Sequence, residues 1–225
     1  MDEFNNLEEL EESEDKERSL FVKIVKIFLA LVLIFVMIYF SGIREYLFFT
    51  RTPTDAKIPQ MEQIVEGEKL TAPVAVFVIR EQTLGSSRDE EDIYSMISNT
   101  SKIMIQAGIN LEIDDIEVVE LERREVSELI EGGFDLVNLR EDRLNIILVK
   151  TLGGLNGLAY PNQNAAIMPD YLAGRDYRTL AHEIGHLLGL GHKDDSRYVM
   201  NQGSYGLLFS EEEVIKMREK FNEKF

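Results

Sequence analysis

Residues 182–192 read H-E-I-G-H-L-L-G-L-G-H and contain all three histidines of the 225-residue chain. This segment restricts the fold more than any other, because residues four apart share a face only on a helix. On a helix, His182 and His186 present their imidazoles to one point from successive turns. Glu183 lies one residue round from the first of them. It is placed to reach a water on a metal ion without ligating the ion, the arrangement in which a carboxylate serves as general base. Gly189 takes a positive φ at no steric cost and ends the helix sharply, so that His192 can swing back as a third ligand. Three imidazoles leave a tetrahedral zinc ion one open position for water, whereas a structural site closes all four. The competing reading, three structural histidines, fails to account for the glycine and the third histidine at this spacing. The sequence therefore nominates His182, His186 and His192 as metal ligands, one catalytic Zn2+ as cofactor and Glu183 as catalytic residue.

Upstream of the motif the pattern is that of an α/β domain beginning near Pro73. VAVFVIR (74–80) is a β-branched run suited to a buried strand, and 88–107 is a helix closed by Gly108. INLEIDDIEVVEL (109–121) is a strand, 124–131 a helix stopped by Gly132 and Gly133, and LNIILVK (144–150) another strand. GGLNGLAYP and NAAIMP then give two short strands interrupted by glycine, where close backbone approach is expected. Leu187, Leu188 and Leu190 are expected in the core beside the motif. Asp194 and Asp195 are either a support for a zinc ligand or a solvated turn.

The N-terminal part has a different composition. Residues 1–19 hold nine acids against Lys16 and Arg18, a solvated acidic tail. IFLALVLIFVMIYF (27–40) is apolar apart from the Tyr39 hydroxyl. With Lys23 and Lys26 snorkelling, residues 20–43 are long enough for one transmembrane helix, which needs roughly 20 residues. A cleaved signal peptide is the competing reading. It is disfavoured by the long acidic leader and by the lack of an A-x-A-like pair of small residues. The cations before the span place the N-terminus in the cytoplasm and the C-terminal domain outside it, in a single-pass arrangement with the lipid bilayer as a partner. Residues 44–72, with Pro53, Pro59 and Gly67, read as a juxtamembrane linker leading to a domain at 73–225. A formal net charge of -17 and the lack of a basic patch exclude nucleic acid as a partner. With no cysteine, the chain has no disulfide, no thiolate metal site and no cysteine nucleophile.

The motif, followed by Met200 in Arg197-Tyr198-Val199-Met200, resembles the metzincin zinc-peptidase signature H-E-x-x-H-x-x-G-x-x-H with its methionine turn. Its His192-to-Met200 separation is most similar to the matrixin (matrix metalloprotease-like) branch. That resemblance implies a twisted, mostly parallel sheet with an antiparallel edge strand, a motif-bearing helix from Asp176, a Met-turn and a C-terminal helix. It also implies that Gly157, Leu158, Ala159 and Tyr160 lie on the edge strand that aligns a polypeptide substrate. Met200 would be an apolar floor beneath the zinc, and Ser210-Glu211-Glu212-Glu213 a capping box that starts the last helix. Lys193 departs from the serine usual in that branch, and the propeptide cysteine and the histidines of an additional structural zinc are absent. Asn156, Asn162, Asn164 and Asp170 are candidate Ca2+ ligands, against the reading that such residues beside glycines form turns.

The function implied is a membrane-anchored zinc metalloendopeptidase, a hydrolase of peptide bonds, using Glu183 as general base. The alternatives are a zinc-bearing but inactive membrane-anchored adaptor, which would have no use for Glu183, and a protein whose acidic tail is the partner site.

Overall fold

The computed structural model describes Val25, Lys26, Phe28, Leu29, Val32, Met61–Gly203 and Tyr205–Phe225. It divides into two units, Met1–Phe48 and Phe49–Phe225. In the first, the five described residues are helical and exposed. The rest of the expected span at 20–43 lies outside the described residues, as does the acidic tail. Among the described residues no helix is long and apolar enough to cross a membrane.

The second unit is a five-stranded sheet with helices on one side and a shorter helix with loops on the other. Its strands are β1 (Leu70–Arg80), β2 (Ile109–Glu120), β3 (Leu144–Val149), β4 (Leu158–Tyr160) and β5 (Ala165–Pro169). They lie in the order β2-β1-β3-β5-β4. The pairs β1/β2, β1/β3 and β3/β5 are parallel, and β4 runs antiparallel to β5 at the edge. The helices are α1 (Glu90–Met104), α2 (Arg123–Ile130), α3 (Asp176–Leu187) and α4 (Glu211–Lys224).

The sheet separates two apolar clusters, and the two-residue side-chain alternation of a strand decides which residue joins which. From β1, Val74, Val76 and Val78 face the layer that holds α1, α3 and α4, where Ile93, Ile103, Leu180, Ile184, Val214 and Met217 bury their side chains. Ala75, Phe77 and Ile79 face the other way, onto Val126 and Leu129 of α2 and onto Phe134 and Val137. Two helices start as the sequence dictates. Asp89 and Asp92 form a reciprocal capping box at α1, and Ser210 and Glu213 form another at α4.

β1 opens at Leu70, ahead of Pro73. Pro73 is tolerated because β3 pairs only with Val74 to Val78, so among the described residues β2 is the sole neighbour of the strand at Pro73, leaving one side on which a missing N–H costs nothing. Residues 61–72, read from the sequence as linker, belong to the packed body. Val65 packs against the core, Ile64 N donates to Gln106 O (2.9 Å), and Arg218 Nη2 donates to Glu68 O (2.9 Å).

One buried ionic cluster positions the motif helix. Arg88, 2% exposed, pairs through Nη1 with Asp176 Oδ2 at 2.8 Å in the first turn of α3, and through Nε with Asp170 Oδ1 at 3.4 Å just after β5. Asp170 also accepts from Ser86 Oγ (2.7 Å) and Ser87 N (2.6 Å). The loop before α1, the end of β5 and the start of α3 are thereby tied together.

Candidate metal centre

α3 buries Tyr177, Leu180, Ala181, Ile184 and Leu187 in the core and turns the His182 and His186 side of the helix to a cleft of about 710 Å³. The helix ends in a Schellman motif. Leu190 N donates to Gly185 O (2.9 Å), Gly189 N donates to His186 O (3.0 Å), and Gly189 stands at φ +84°. The reversal brings His192 back over the helix, as the glycine in the sequence requires.

The three imidazoles converge. His186 Nε2 lies 3.1 Å from His182 Nε2 and 3.1 Å from His192 Nε2, and all candidate ligand atoms fall within 4.8 Å of one another. A tetrahedral ion with Zn–N bonds of about 2.0–2.1 Å separates its ligand atoms by roughly 3.3–3.4 Å, close to what is found. The tautomers agree. His182 Nδ1 is 2.8 Å from Val199 O and His186 Nδ1 is 2.9 Å from Leu190 O. A carbonyl accepts only from N–H, so both Nδ1 atoms carry the proton and both Nε2 lone pairs point at the common centre. Burial pulls the His182 pKa down to about 4 and lowers that of His186, which keeps both rings neutral. Unshared lone pairs this close repel unless a cation sits between them, so the donor set fits a zinc ion. His192 is exposed, with its Nδ1 3.2 Å from the Gln202 side-chain amide.

Glu183 is 6% exposed and lines the same cleft. Among the described residues no hydrogen bond reaches its carboxylate, and burial raises its pKa to about 7, against the lowering effect of Arg178. Gly157, just ahead of β4, approaches it closely. A Cβ at Gly157 would fall 2.6 Å from Glu183 Oε1, so only glycine leaves the carboxylate its place.

Met200 is fully buried, and its Sδ lies so close to α3 that a Cβ at Gly185 would collide with it. Lys193, the departure from the matrixin pattern, has a defined place. Its main chain donates to Met200 O (2.9 Å), and its Nζ donates to Ser210 Oγ (3.0 Å) at the α4 cap. The residue after the third histidine is thus fastened to both the Met-turn and the last helix.

Several expectations are corrected. Leu158, Ala159 and Tyr160 form the edge strand β4, with Gly157 just ahead of it; the Tyr160 side chain lies off the cleft, its hydroxyl donating to Ile130 O (2.6 Å) and its ring packing edge-on against Phe134. Gly157, Leu158 and Ala159 do line it. Calcium is unsupported. The Asp170 carboxylate is taken by serine and arginine donors, Asn156 Oδ1 accepts from Ala173 N (2.8 Å), and Asn164 is a left-handed turn residue whose Oδ1 accepts from Lys224 Nζ (3.2 Å). Among the described residues, the three histidines are the one group of His, Cys, Asp or Glu side chains gathered to hold a metal. Asp195 pairs with Arg197 (2.6 Å), so backbone carbonyls, not Asp194 or Asp195, orient the ligands.

The sequence reading missed Arg178, which is buried at the edge of the cleft. Its Nη2 donates to Val199 O (2.6 Å), the same carbonyl that receives His182 Nδ1. The available signal was its position one helical turn before His182.

No protein-family model matches the chain, and no curated protein matches it. Among solved structures, a chain in a chaperone–substrate complex shares the fold, with a TM-score of 0.53 at 18% identity over 69% of this chain and 34% of that one. Metalloproteinase-II from Bacteroides fragilis superposes at a TM-score of 0.46 with 19% identity; 72% of this chain is covered, and the chain spans 57% of that protein. Archaemetzincin from Methanopyrus kandleri gives a TM-score of 0.49 and 15% identity, with 71% of this chain and 99% of that one covered. At these scores the latter two say nothing about chemistry, which rests on the histidines, Glu183 and their surroundings.

Proposed function

We propose that the chain is a zinc-dependent endopeptidase of the metzincin type, closest in its motif to the matrixin branch. In this reading residues 20–43 tether it to a membrane, with the N-terminus cytoplasmic and the peptidase domain on the other side. The observation that carries the catalytic reading is the convergence of two Nδ1-protonated histidines and His192 beside a buried carboxylate that has no donor among the described residues. The tether rests on the apolar run at 27–40 and the lysines before it.

His182, His186 and His192 would hold a zinc ion, which would supply Lewis-acid activation of water and of the scissile carbonyl. The Val199 and Leu190 carbonyls hold the first two rings in the tautomer that ligation needs. Glu183 takes a proton from the attacking water on its carboxylate and delivers it to the leaving nitrogen. Among the described residues β4 pairs with β5 alone and keeps a free edge beside the cleft, where an extended polypeptide can add as a further strand. Gly157 keeps that edge close to the carboxylate.

The test uses the zinc-loaded full-length protein in detergent with a diverse peptide library, and cleavage is read by mass spectrometry. Glu183→Gln should keep its zinc and lose about 10²- to 10⁴-fold in rate. Undiminished cleavage by that variant would remove the reading. A reporter fused after Phe225 should be external; a cytoplasmic reporter would refute the topology.

A further inference from the structure

Arg178 and Arg88 are both almost wholly buried, at 4% and 2% exposure, yet they are neutralised differently. Arg88 holds two carboxylates, Asp170 and Asp176. Arg178 holds none. Its Nε donates to Gly206 O (3.2 Å), and its Nη2 donates to Val199 O (2.6 Å) and Asn201 O (2.5 Å). These are main-chain dipoles, which orient the guanidinium without cancelling its charge. Nη1 makes no hydrogen bond among the described residues and is not one of the fully enclosed polar atoms left without a partner. The opposite charge that Arg178 feels is Glu183, beyond ion-pair distance. Arg178 is one of the residues that line the cleft, together with Glu183, Thr179, Leu158 and Ala159.

Burying a cation without a counter-ion is costly, and buried arginines are almost always paired. A rigidly held fork with one nitrogen left over, on a residue that lines the cleft, has no carboxylate partner among the described residues. We infer that Arg178 is a specificity-determining residue whose Nη1 recognises a carboxylate of the bound polypeptide, from an acidic side chain or from a free C-terminus. The inference rests on reading the cleft as a peptide site. Guanidinium–carboxylate hydrogen bonds are charge-assisted, and a site built to make one discriminates against a ligand that lacks the partner.

The experiment uses zinc-loaded full-length protein carrying Glu183→Gln, so that probes are not consumed. Fluorescent heptapeptide pools, capped at both ends and random except for one position fixed as Glu or as Gln, are titrated by anisotropy. A further pair of pools differs only in a free or amidated C-terminus. Binding should be about tenfold or more tighter for Glu at one position, or for the free terminus, and the arm that responds identifies the source. Adding Arg178→Met should bring the ratio close to one. Arg178→Lys should keep a smaller preference, because an ammonium is a point charge and not a fork.

If Arg178→Met fails to fold, the ratios for Arg178 and for Arg178→Lys decide. A ratio within twofold at every position and for both termini, or one that Arg178→Met leaves unchanged, overturns the inference. Cleavage with Glu183 intact is scored separately. Cleavage without carboxylate preference removes this inference and leaves the peptidase reading standing; carboxylate-selective binding without cleavage does the reverse.

Discussion

A methyl group at Gly157 probes how the Glu183 carboxylate is held. The Cβ of Gly157→Ala falls 2.6 Å from Oε1, 2.8 Å from Cγ and 2.9 Å from Cδ, where ordinary contact begins at 3.4 Å. Going from 2.6 to 3.4 Å moves the carboxylate by about 0.8 Å. Gly157 is not among the positive-φ glycines, so alanine adds no backbone strain. The atoms that must yield belong to one side chain bordering the cleft, so fold stability should change little. Misplacing a reacting group by about 1 Å costs on the order of 10²-fold in rate. Gly157→Ala should therefore bind zinc normally, melt like the parent and cleave about 10²-fold more slowly. Gly191→Ala, whose Cβ meets nothing within 4 Å, is the control and should cleave at the parent rate. Initial rates on a fluorogenic peptide, zinc content by plasma emission and thermal melts supply the comparison. A folded, zinc-loaded Gly157→Ala within about threefold of the parent would refute the reasoning, since a move of this size should cost far more.

Three further outcomes are expected. Arg88→Met leaves Asp170 and Asp176 buried without their cation and should destabilise the fold by about 3–5 kcal/mol in urea unfolding; a loss under about 1 kcal/mol would mean that the cluster is dispensable. His186→Ala should lose both zinc and cleavage, because two histidines hold the ion poorly; full zinc occupancy in that variant would show the ligand set to be wrong. Residues 61–225 made alone should fold cooperatively and cleave the peptides that the full-length protein cleaves, since the candidate site lies wholly within them. A folded fragment without activity would bring the preceding residues into the active unit.

What could be read from the sequence is what local geometry decides. His182 and His186 at helical spacing, the turn at Gly189 and the capping box at Ser210 each depend on a few neighbouring residues, and each forms as its residue types require. Strand alternation likewise sorted Val74, Val76 and Val78 from Ala75, Phe77 and Ile79 onto opposite faces. The rest depends on distant pairing. Asp170 stayed open as a candidate Ca2+ ligand beside the turn reading because nothing near it in sequence shows that Ser86 and Arg88 will take its oxygens. Tyr160 lies on the edge strand as expected, but the bond of its hydroxyl to Ile130 O is set by packing across 30 residues. Pro73 suggested a strand start only because its one-sided pairing could not be foreseen.

The proposed zinc site has three histidine ligands and one exchangeable position. X-ray absorption at the zinc edge on the purified protein measures this directly. The account predicts one zinc per chain with three imidazole nitrogens and one oxygen at about 2.0–2.1 Å, and one imidazole fewer in His192→Ala. A first shell closed by four protein ligands, an unchanged spectrum in His192→Ala, or failure of the protein to retain zinc would contradict it.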